Sequence, residues 1–165
     1  MNTTRLKAVL LGGLVAGTLD IAFALSFAAY NGTAPMRLLQ AVASGVFGKA
    51  AFAGGASMAA SGLALHFGLS FLWAGLFLML ALMLARFRPS LALRPFVSGS
   101  LFGVLVFLGM RLVVLPLSAF PFPVSFKPVA TVSDLLSHML LFGVPIALAA
   151  RGAVVSAQAD RTETA

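Results

Sequence analysis

Hydrophobic and polar positions fall in long blocks along this chain. Four apolar runs, at about residues 6–30, 57–85, 96–116 and 131–150, are separated by short stretches rich in Arg, Gly and Pro. About 20 helical residues at ~1.5 Å each cross the ~30 Å hydrocarbon core of a bilayer. Each run therefore predicts a membrane-spanning helix. The first is flanked by Arg5 and Lys7. Ala22-Phe23-Ala24 resembles a signal-peptide cleavage site, but the apolar run continues to Tyr30 without a polar cleavage region, which favours a retained span. The second run is longer than a bilayer needs, so it is expected to tilt, project or kink near Gly62. Pro145 predicts a kink in the fourth, because proline leaves the carbonyl of Leu141 without its helical donor.

Between the first two runs the pattern changes period. After the turn residues Asn31-Gly32-Thr33, Pro35 suits a first helical position. From Pro35 to Phe47, the polar Arg37, Gln40 and Ser44 recur at helical spacing opposite Leu39, Val42 and Val46. Such a segment is too short to span. It predicts an amphipathic helix lying in the membrane interface, with a re-entrant segment as the alternative. Gly48 suits its end, and Gly54-Gly55 breaks the chain before the second span. Pro116, Pro121, Pro123 and Pro128 predict an irregular, Phe-rich connection between spans three and four. Thr131-x-x-Asp134 is a capping pattern for the start of the fourth. The expected organisation is one all-α, four-helix transmembrane domain over residues 1–151, with a mobile polar tail at 152–165.

Composition reinforces this reading. Of 165 residues, 61% are hydrophobic and only 9% charged, against roughly 25% charged in a soluble domain. The formal net charge of +7 does not point to nucleic acid, because the basic residues stand singly at the edges of apolar runs. They orient the protein instead. Arg5, Lys7, Arg86, Arg88, Arg94, Arg151 and Arg161 fall on one side, and Arg37, Lys49 and Lys127 on the other. Seven against three places both termini in the cytoplasm by the positive-inside rule. The chain has no cysteine, which excludes disulfide frameworks, thiol redox chemistry and Cys-ligated metal sites.

Five ionisable residues lie inside the predicted spans: Asp20, His66, Arg111, Asp134 and His138. Such groups are costly at membrane depth and mark functional positions by default. Counting from the predicted ends of each run places all five in the outer half of the bilayer, on four different spans. A shared polar cavity for a small polar or anionic solute, or for protons, is the expected arrangement. Arg111 would be its fixed charge and the histidines its pH-sensitive groups. Asp20 and Arg111 are the expected ion pair. The plainer reading is a network that fixes helix registry and holds no ligand. A third reading makes His66 and His138 axial ligands of a b-type haem. No catalytic motif appears, and no cofactor or metal is expected. Lipid is the expected partner, and nothing in the pattern indicates a homo-oligomer. Trp73 lies too deep for an interfacial belt and reads as core. Gly13-x-x-x-Gly17 and Gly99-x-x-x-Gly103 are helix-packing signals, expected to bring spans one and three together.

The run His66-Phe67-Gly68-Leu69-Ser70, followed by Gly99-x-x-x-Gly103, Pro116-Leu117, Ser133-Asp134-x-x-x-His138 and Arg151, resembles the YagU-like bacterial inner-membrane proteins. The likeness covers roughly residues 56–151. The N-terminal region and the amphipathic segment depart from it. The resemblance implies an inner-membrane location and a multi-span helical fold, and brings no defined activity, cofactor or binding residues.

Overall fold

A computed structural model describes residues 3–162. Four helices are long and apolar enough to cross a membrane: Thr3–Tyr30, Gly55–Phe87, Pro95–Leu117 and Pro128–Asp160. The chain is a multi-pass, all-α membrane protein. Its backbone is helical for a physical reason: hydrocarbon offers no hydrogen bonds, so each span must satisfy its own N–H and C=O groups.

Local chemistry sets the boundaries. The first span ends where Asn31 donates through Nδ2 to the carbonyl of Phe27 (2.8 Å) and Gly32 takes a positive φ of 78°. Pro35 then opens the predicted short helix, Pro35–Phe47, which Gly48 (φ 57°) closes. A 3₁₀ turn, Gly48–Ala53, leads to Gly55, whose φ of 55° starts the second span.

The short helix turns its polar edge toward the protein. Gln40 and Ser44 are buried, whereas Met36, Val46 and Phe47 are exposed. Its polar edge faces the protein because Gln40 donates through Nε2 to the carbonyl of Gly55 (3.1 Å). The helix backbone also presses on the second span at Gly62, where an added Cβ would collide with the Leu39 carbonyl. Gly62 is thus a contact point, and the second span runs as one helix of 33 residues, about 50 Å.

The spans also pair differently from expectation. Gly13 and Gly17 abut Phe71, Phe67 and Ser70 of the second span, and Gly12 abuts Ile146 and Ala149 of the fourth. Gly99 and Gly103 abut the fourth span at Gly143, Val144, His138 and Met139. The first span therefore packs between the second and fourth, and the third packs on the fourth. Spans one and three are not joined by their glycines. The backbones of spans two and three stay apart, bridged by Trp73, Phe77 and Phe102 with ring centroids 6.2 and 5.0 Å from Phe102. The core is built largely of small side chains, among them Ala16, Ala74, Ala147, Ala150 and Ala153. This suits helices that associate by close packing, since lipid leaves no hydrophobic force to drive them together.

Spans three and four each contain a π-helical turn, at Met110–Val114 and His138–Gly143. Each lies just before a proline, Pro116 or Pro145. The proline cannot donate to the turn before it, and the wider turn absorbs the mismatch.

Two further expectations fail. The fourth span begins at Pro128 with Lys127 as its cap; Thr131 lies inside the helix, its hydroxyl oxygen buried without a partner. That helix also continues past Arg151 to Thr162. Ala153 and Val154 are buried, so the polar tail expected from residue 152 is helical and partly packed; residues 163–165 lie outside the described chain.

Candidate functional site

At the end of the bundle that carries the short helix, a cavity of about 410 Å³ opens among all four spans. Asp20, His66, Arg111, Asp134 and His138 all line it. It is roofed by residues 118–127, the irregular connection predicted from its prolines. This segment is tied down at both ends. The Ala119 amide donates to the Gly45 carbonyl (2.8 Å), and Arg111 donates through Nη1 to the Ser125 carbonyl (2.6 Å).

Arg111 is the hub. It donates through Nε and Nη2 to one oxygen of Asp134, at 3.3 and 3.0 Å. Its guanidinium also lies over the rings of Phe107 and Phe126, 5.1 and 5.2 Å from the centroids. The direct carboxylate partner of Arg111 is therefore Asp134 and not the expected Asp20, which lines the same cavity. The reason is positional: the π-turn at Met110–Val114 carries Arg111, and Asp134 stands on the neighbouring fourth span, against which the third packs. Asp20 accepts instead from the Ser137 hydroxyl (2.9 Å).

The two histidines are held by carbonyls, and a carbonyl only accepts. Each bonded ring nitrogen therefore carries its proton. His66 donates through Nε2 to the Gly17 carbonyl (2.9 Å). Gly17 makes this possible: a Cβ there would lie 2.8 Å from the Ser70 hydroxyl oxygen and 3.0 Å from the Phe67 ring, holding the spans apart. His138 donates through Nδ1 to the Asp134 carbonyl (2.8 Å), with an Asp134 carboxylate oxygen at 3.2 Å. Phe107 and Phe142 flank its ring. Gly103 serves it as Gly17 serves His66, by letting the third span approach the carbonyl of His138.

Arg111, Asp134 and His138 thus form one connected polar row, with Ser137 and Asp20 beside it. His66 and Ser70 complete the far wall, where Ser70 donates to the His66 carbonyl (2.8 Å). The remaining wall is apolar, from residues such as Ile21, Val106 and Phe120. Trp73 also lines the cavity, with its indole N–H buried and unpartnered; it is more than core. As for bound groups, His66 spends its Nε2–H on the protein, so that nitrogen is no free ligand for the haem reading. Among the described residues no group of three or more His, Asp or Glu could hold a metal ion.

Ser137 and Ser125 were not legible in the sequence. Ser137 was detectable only as the neighbour of His138. Ser125 acts through its backbone carbonyl, to which its side chain gives no clue. Comparison with known families, curated proteins and solved structures finds no match.

Proposed function

We propose that this membrane protein binds a small amphipathic solute in the roofed cavity. The carrying observation is the convergence of five ionisable residues from four spans on one space of about 410 Å³, a volume in the range of small-molecule sites. The two π-turns support the reading. Such turns concentrate at functional sites, and here they carry Arg111 and His138.

The charge balance selects the solute. Arg111 is paired with Asp134, whereas Asp20 is bonded to the Ser137 hydroxyl, so Asp20 is the cavity carboxylate that the guanidinium does not engage. Arg111 would attract an anion if it stood alone, but Asp134 takes up its charge. The cavity therefore favours a solute with a cationic or hydrogen-donating end, placed toward Asp20, and an apolar body against the aliphatic and aromatic wall. His138, bonded to Asp134, is positioned to exchange a proton with it. The seven-to-three basic asymmetry and the YagU-like order of motifs support a bacterial inner membrane, cytoplasmic termini and a cavity facing outward.

Trp73 is the sole tryptophan and lines the site. Its emission should respond to tetraethylammonium and not to ethanesulfonate, and Asp20→Asn should remove that response. Indifference of Trp73 to both probes would contradict the proposal. It would favour a registry network without ligand, a reading that already draws support from the intramolecular partner each of the five residues has.

A further inference from the structure

At the opposite end of the bundle, a second concavity lies where spans two and three separate. Its volume is about 420 Å³, and it is lined by Phe77, Ala81, Phe87 and Leu91 on one side and by Leu101 and Leu105 on the other. Its lining is apolar apart from Ser98, whose hydroxyl is spent on the Arg94 carbonyl (3.0 Å). Along the second span it extends from Phe77 to Phe87, about 15 Å at the helical rise, which is half the ~30 Å hydrocarbon core. The groove is thus one leaflet deep.

Its mouth carries concentrated charge. Arg86 and Arg88 flank the lining residue Phe87, and Arg94 follows the lining residues Leu91 and Ala92. All three arginines are exposed, and among the described residues none has a carboxylate partner. They stand within nine positions around the open end of an apolar slot.

We propose that this groove is a specific site for one anionic phospholipid, with an acyl chain between spans two and three and the phosphate held by Arg86, Arg88 and Arg94. The groove supplies shape and the arginines supply sign; guanidinium groups suit phosphate because they offer several donors in one plane. The site is separate from the roofed cavity, and the aromatic cluster of Trp73, Phe77 and Phe102 stands between them.

That cluster also provides the reporter. Trp73 touches Phe102, which lines the groove. The full-length protein in mixed micelles would be titrated with phosphatidylglycerol or phosphatidylcholine brominated on the acyl chains, and quenching of Trp73 followed. Phosphatidylglycerol should quench at a mole fraction about tenfold lower, the scale set by a few arginines acting on one anionic head. The triple variant Arg86→Gln, Arg88→Gln, Arg94→Gln should bring the two lipids together. Should it fail to fold, the single variants Arg88→Gln and Arg94→Gln should each lower the preference. The double variant Arg5→Gln, Arg151→Gln, altered on other spans, should keep it. Equal quenching by the two lipids in the native protein would overturn the proposal. So would a preference that survives loss of the three arginines, or one that disappears in the Arg5/Arg151 variant.

Discussion

Arg111 and Asp134 present the sharpest single-residue question. Arg111 is 15% exposed and Asp134 38%, so the pair is neither a surface pair nor a fully buried one. Exposed pairs contribute about 0–1 kcal/mol, whereas removing one partner of a buried pair costs about 3–5 kcal/mol. Arg111→Gln or Asp134→Asn alone should therefore destabilise by about 2 kcal/mol in detergent denaturation, because each leaves one charge facing Phe107 and the roof. The double variant should cost less than the sum of the two, with a coupling of about 1 kcal/mol. Strict additivity would mean that the two groups act independently. At this scale the sequence was informative about which residues matter and poor about which of them pair. Depth along a helix can be counted from its ends. Partner choice depends on which helices are neighbours, and single-sequence periodicity carries no record of that. Asp20 and Arg111 share the cavity, yet Asp134 is the carboxylate on the span that the third span touches.

At the scale of elements, glycine decides how closely helices approach. Gly103 faces the backbone of His138 and Met139, whereas Gly68 and Gly75 face open space. Gly103→Ala should destabilise by about 1–3 kcal/mol, the usual cost of overpacking, and should disturb His138 with it. Gly68→Ala should cost nothing, since alanine is the better helix former by up to about 1 kcal/mol. Thermal melting of the two variants side by side measures the contrast, and equal loss in both would remove the packing argument. The four spans and the helix Pro35–Phe47 were legible because hydropathy and turn residues set them locally. The facing of that short helix was not. Its polar stripe suggested water, but Gln40 found the carbonyl of Gly55, and a backbone acceptor is as good a partner as solvent. The π-turns were equally hidden; Pro116 and Pro145 announced a disturbance without stating its form.

For the whole molecule, the central claim is that the roofed space is a water-accessible cavity in a membrane domain. Because the chain has no cysteine, single cysteines can be introduced at positions 66, 111 and 138, with position 74, in the core and away from the cavity, as a control for the buried interior. A membrane-impermeant thiol reagent is then applied to sealed vesicles of each orientation. The account predicts that cysteines at 66, 111 and 138 react from the side of the short helix and the 118–127 roof, while 74 stays protected from both sides. Protection of all three site positions in correctly inserted, folded protein would contradict it, and the polar row would then be a sealed network that holds the helices in register.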